Sequence, residues 1–108
     1  MVLVHQGSEQ ITISGSELGI TASLLLDSDS QPLNVLMATF EILSGGFIYH
    51  SENADGLTLS NSGANGEHKE LIGSKWEIWG REDLSNWAGI KGSGESDAIV
   101  NINLYGTA

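Results

Sequence analysis

The chain has no cysteine. That removes disulfides, thiolate nucleophiles and cysteine-based metal sites together. Basic residues are nearly as scarce: there are four, and none precedes Lys69. Against fourteen acids they leave a formal net charge of −10. A surface of that sign repels phosphate backbones and anionic lipid, so neither nucleic acid nor a membrane surface is an expected partner. The charge fits a cationic partner or metal ions, or more simply it keeps a β-rich chain in solution. No apolar run approaches the roughly 20 residues that span a bilayer. The opening MVLVHQGSEQ has neither a basic region nor a long apolar stretch, so no signal peptide is expected and the cytoplasm is the expected location.

Catalytic signatures are missing too. There is no G-x-S-x-G elbow, no His-x-His and no H-E-x-x-H. Asp27-Ser28-Asp29 opens like a calcium loop, but Pro32 stands where such a loop needs glycine and Ala38 where it closes on glutamate. Turn chemistry explains the segment from Asp27 to Pro32 better. No metal and no cofactor are expected.

What remains is strand periodicity with turn punctuation in a chain of 108 residues, long enough for one domain. Met1–His5 alternates, Glu9–Ser14 sets Ile11 and Ile13 on one face, and Gly15-Ser16 breaks the run. Gly19–Leu26 alternates again. Leu33–Leu43 reads two ways. As a strand it aligns Leu36, Ala38, Phe40 and Ile42. As a helix, over about 32–43, it would start at Pro32 and stop at Gly45-Gly46. The adjoining β signals favour the strand, with Ser44-Gly45-Gly46 turning it into a hairpin with Phe47–His50. Asp55-Gly56 marks a second hairpin. Lys69–Ile72, Lys75–Trp79 and Ala98–Tyr105 complete the set. The expected fold is mainly β, a single-domain antiparallel meander over 1–108 that closes into a small barrel to hide its edges; the alternative is α+β with one helix.

The densest stretch runs from Lys75 to Ser96. It holds Trp76, Trp79 and Trp87, all the tryptophans of the chain. The period of two puts Trp76 with Ile78 on one face and Glu77 with Trp79 on the other. A tryptophan beside a charged residue is core re-aimed by a bulge at Gly80, a subunit contact, or a ligand platform of the sugar-stacking kind. The glycines after Trp87 run G-x-x-G-x-G, not the order of a dinucleotide loop, and suit a tight corner.

The run Asp83-Leu84-Ser85-Asn86-Trp87-Ala88-Gly89-Ile90-Lys91-Gly92-Ser93-Gly94, with a last strand ending Leu104-Tyr105-Gly106, resembles the tail of allene oxide cyclase-like β-barrels. The resemblance covers about the last third of the chain. It implies a small barrel, often oligomeric, around an apolar cavity in which the plant enzymes isomerise a fatty-acid epoxide. It assigns no catalytic residue here.

Histidines are few: His5, His50 and His68. His50 with Glu52 and His68 with Glu70 are two apart, so each pair shares a strand face. Exposed or structural roles fit them better than metal binding or acid–base work. Three functions stay open. The first is a non-enzymatic binder of an apolar or amphipathic small molecule, or a homo-oligomer, using Trp76, Trp79, Trp87, Phe40 and Tyr49. The second is an isomerase or lyase with Glu41, His50, Glu77 or Glu82 as acid or base. The third is an interaction module that reads a basic partner through its acidic half. Whichever holds, the charge balance predicts that the protein fails to retain duplex DNA even at low salt, where retention by an electrophoretic shift assay would be strongest.

Overall fold

The computed structural model describes residues 3–20, 35–52 and 59–107. These form eight strands and one short helix: β1 (Val4–Ile13), β2 (Leu18–Gly19), β3 (Val35–Ser44), β4 (Ile48–Ser51), β5 (His68–Glu70), β6 (Lys75–Trp79), α1 (Arg81–Asn86), β7 (Ala88–Lys91) and β8 (Ala98–Gly106). The chain is mainly β, and its paired strands are antiparallel throughout. They make two four-stranded sheets, ordered β1-β8-β3-β6 and β2-β7-β4-β5. Neither sheet closes on itself among the described residues, which corrects the expected barrel to two open sheets that share a core. On the edge strand β1 a bulge interrupts the ladder, where the β1–β8 register slips between His5 and Gly7; the β3–β8 register slips near both ends of β3, inside the sheet.

β8 lies between β1 and β3, and its sequence shows why it can sit there. Ala98, Val100, Ile102 and Leu104 are all fully buried, while Asn101, Asn103 and Tyr105 occupy the alternate, outward positions. Ile11 and Ile13 of β1 meet them from one side, as the period-two pattern requires, and Ala38, Phe40 and Ile42 of β3 from the other. The second sheet contributes Ile48, and the core is completed by Ile78, Leu84 and Trp87. Burying each such aliphatic side chain is worth about 2 kcal/mol.

Leu33–Leu43 resolves as strand over its described part, so the α+β alternative with a helix at 32–43 does not hold. The aligned face survives with one change. The slip between Val35 and Met37 sends Val35 into the core and leaves Leu36 half-buried. The hairpin expected at Ser44-Gly45-Gly46 is also corrected: β3 and β4 do not pair, and this turn carries the chain from the first sheet into the second. The Asp55-Gly56 turn, residues 21–26 of the early strand and the Asp27–Pro32 turn lie outside the described residues.

The helix α1 was not expected. Gly80, placed as a bulge by the sequence pattern, instead adopts φ 99°; its N–H donates to the Leu36 carbonyl at 2.7 Å, and its carbonyl accepts from the Leu84 N–H at 3.0 Å. The signal that marks this helix is acidic residues in its first turn, Glu82 and Asp83, next to the positive end of the helix dipole. At six residues it is too short to register as a periodic apolar face. Its single buried residue, Leu84, seals the core beneath β3 and β6.

The sheet-switching turn generates a direct test. Gly45 has φ 98°, and a Cβ there would stand 2.1 Å from the Asp97 carbonyl oxygen. Backbone atoms cannot yield as a side chain would, so Gly45→Ala is expected to cost at least about 2 kcal/mol in urea denaturation.

Candidate functional site

Two places on the molecule concentrate chemistry, and they are the two faces of the same pair of strands. On the inner side, Phe40 of β3 stands directly opposite Trp76 of β6. Their rings stack at 5.2 Å and 4°. Trp76 also stacks on the His50 imidazole, at 4.5 Å and 11°. Trp87 leans on Phe40 at 4.7 Å. The four rings form one nest at the junction of the two sheets.

His50 is 2% exposed, the only buried polar side chain among the described residues. The alternation of β4 explains the position: Ile48 and His50 point inward, Tyr49 and Ser51 outward. Both of its ring nitrogens are engaged. The Trp87 indole N–H donates to Nδ1 at 3.1 Å. An indole nitrogen only donates, so Nδ1 carries no proton and the ring is the neutral Nε2–H tautomer. That N–H points to Glu70 Oε1 at 3.4 Å. Burial, and then the neighbouring His68 charge, push the His50 imidazole down to about 4, with Glu52 opposing. The ring is therefore uncharged at neutral pH.

The pairs expected along each strand exchange partners across the strands. His50 is opposite His68 in the β4–β5 register, so each histidine is diagonal to the glutamate of the other strand. His50 thus meets Glu70, while His68 meets Glu52 at 3.7 Å. Sequence spacing along one strand could not supply that register. Among the described residues, no three histidine or acidic groups converge in a way that could hold a metal ion.

On the outer side of the first sheet, the registers align two polar rows. One runs Ser8, Asn103, Thr39, Glu77; the next runs Gln10, Asn101, Glu41, Lys75. Lys75 Nζ lies 3.6 Å from Glu41 Oε2. Thr39, Glu41, Lys75, Glu77, Asn101 and Asn103, with parts of Phe40 and Trp76, line a depression of about 470 Å³. Trp79, outside the lining of the depression but bonded to Glu77 within it, is 51% exposed on the face shared with Glu77 that the alternation of β6 assigned to it. Its indole N–H donates to Glu77 Oε1 at 3.0 Å, which holds the ring in place. Met37 sits opposite Trp79 and Tyr105, and is buried beneath this outer row.

The candidate residues therefore separate. Glu41 and Glu77 share the outer depression, both in water; His50 is in the core; Glu82 is exposed in the first turn of α1. They do not form one acid–base site. Phe40 and Trp87, each 1% exposed, lie in the core. Trp76 is half-buried in the nest, and its indole N–H has no hydrogen-bond partner. Tyr49 lies on the outer face of the second sheet, edge-on to Phe47 and packed against the small cluster of Leu59, Ala88 and Ile90. The sequence reading missed Thr39, Asn101 and Asn103. Their signal was present, as polar residues on the alternate positions of otherwise apolar strands.

No protein-family model, no curated protein and no solved structure matches the chain. Nothing in those comparisons bears on the allene oxide cyclase-like resemblance.

The nest has a measurable pH signature. Because the folded protein holds His50 neutral, the unfolded chain binds the extra proton between pH 6.5 and 4. The stabilisation is complete above pH 6.5 and is lost as pH falls towards 4, by on the order of 3 kcal/mol. Urea denaturation across that window should show the loss, and His50→Gln, which cannot titrate, should lack that component. At pH 7, Trp87→Phe removes the donor to Nδ1 and should cost about 1–3 kcal/mol.

Proposed function

We propose that the protein is a non-enzymatic binding module that takes a hydroxyl-rich ligand, a neutral oligosaccharide or similar polyol, on the outer face of its first sheet. The observation that carries this reading is the depression between β8, β3 and β6, together with exposed Trp79, whose indole is bonded to Glu77 of its lining. Side-chain amides offer donors and acceptors together, and carboxylates accept, which is the complement a hydroxyl array needs. Asn101, Asn103, Glu41, Glu77 and Thr39 supply both kinds on one surface. Trp79 supplies a flat apolar plate whose orientation Glu77 already fixes, so little freedom is lost on binding.

This reading keeps the expected binder and changes its ligand. A wholly apolar molecule would cover the amides and charges that make up most of the lining, and these would have to be desolvated without return. Chemistry is less well supported than binding. Glu41 is paired with Lys75 and Glu77 bonds the Trp79 indole, so both acids of the depression already have partners that position them for binding.

A second reading, a homo-oligomer joined through Trp79, is favoured by the exposure of that ring on a described monomer surface. One experiment separates the two. Titration of cellohexaose and maltohexaose by calorimetry at pH 7.5 should find saturable binding. Trp79→Ala and Asn103→Ala should each weaken it about tenfold or more, equivalent to about 1.4 kcal/mol, with the light-scattering mass unchanged. A mass that drops to monomer in Trp79→Ala, with no oligosaccharide bound by either form, supports the subunit contact instead. Binding of a basic protein that collapses in moderate salt would point to the acidic interaction module.

A further inference from the structure

We propose that the proton on His50 controls the shape of the outer depression, so that bound ligand is released in acid. The inference rests on the binding reading above and adds regulation to that site.

The coupling is built into consecutive residues. Phe40 of the inner nest lies between Thr39 and Glu41, which line the depression; Trp76 of the nest lies between Lys75 and Glu77, which line it too. A displacement of the inner rings moves the same peptide units that carry the outer side chains. β6 is the less tethered strand of this pair. It is five residues long and is held to the first sheet by β3 alone among the described residues. Its inner anchors are Trp76 and Ile78. The Trp76 indole N–H bonds to nothing, so the ring is positioned by its stacks on Phe40 and His50.

Protonation changes what His50 can offer. Nδ1, an acceptor for the Trp87 N–H at 3.1 Å, becomes a donor, and two N–H groups then face each other in a buried site. The ring must turn or shift. It has acids to move towards: Glu70 of β5 at 3.4 Å, and Glu52 at the end of β4. His68 of β5 faces it as a second cationic group in acid and adds repulsion. The rings of β6 and the segment before β7 that pack on it, Trp76 and Trp87, do not titrate. The stack on Trp76 transmits the shift to β6 and through β6 to the depression.

The test follows backbone amides of the full chain, labelled with ¹⁵N, from pH 7.5 to 3.5. The Thr39 and Lys75 amides should move with the midpoint of the His50 ring, and that component should vanish in His50→Gln. Identical Thr39 and Lys75 responses in wild type and His50→Gln overturn the proposal. Should His50→Gln fail to fold, Trp87→Phe decides: without the opposed N–H, the His50 midpoint should rise by a pH unit or more and the amide response should shrink. An unchanged response in that variant also overturns it. Cellohexaose or maltohexaose affinity should fall at least tenfold through the same midpoint. Absence of oligosaccharide binding at pH 7.5 removes the binding reading, and the amide response still judges the coupling.

Discussion

The hydrogen bond from the Trp87 indole to His50 Nδ1 is the constraint on which the arrangement of the nest depends. It places a polar ring in the core and fixes which nitrogen carries the proton. It also aims the other nitrogen at Glu70, at the edge of the second sheet. With the imidazole so oriented, its flat face is available to Trp76, and Trp76 in turn lies flat against Phe40. One bond thus orders rings drawn from β3, β4, β6 and the turn after α1. Replacing His50 by an aliphatic residue would remove the burial penalty of the imidazole, but it would leave the Trp87 N–H without an acceptor. A buried unpaired donor of that kind costs about 1–3 kcal/mol.

The same two strands, β3 and β6, carry both the nest and the outer depression because their alternation is strict where it matters. Phe40 and Trp76 go in; Thr39, Glu41, Lys75 and Glu77 go out. Trp79 is the exception to the usual division, a large aromatic ring on the wet side. Its bond to Glu77 gives that exception a physical form: the ring is held as a plate beside a carboxylate. A large apolar surface kept in one orientation next to polar groups is the arrangement that recognition of a ring-shaped, hydroxyl-bearing ligand requires.

Much of this was legible in the sequence where one strand speaks for itself. The burial of Ile11 and Ile13, the strand assignment of Lys75–Trp79 and the outward face of Trp79 all follow from period two alone. Information that depends on pairing was not legible. Barrel closure was inferred from the need to hide edges, whereas the bulge near His5 on the edge strand β1 provides another way to manage one of them. The turn at Gly45 gives the signal of a hairpin, yet which sheet the next strand joins is decided by long-range packing. The partners of His50 were misassigned for the same reason: Glu52 is nearer in sequence, but the β4–β5 register brings Glu70 to it. Trp87 as a donor to His50, 37 residues away, has no local signature at all. The polar residues of β8 could have been found, since Asn101 and Asn103 occupy alternate positions of an apolar strand.

The central claim is that His50 is a neutral core residue whose Nδ1 accepts from Trp87. Long-range ¹H–¹⁵N correlation of the imidazole at pH 7 tests it most directly. The account predicts a protonated Nε2, an unprotonated Nδ1, and a Trp87 indole proton shifted and slowed in exchange by the bond. A ring protonated at Nδ1, whether as the other tautomer or as the imidazolium, would contradict it.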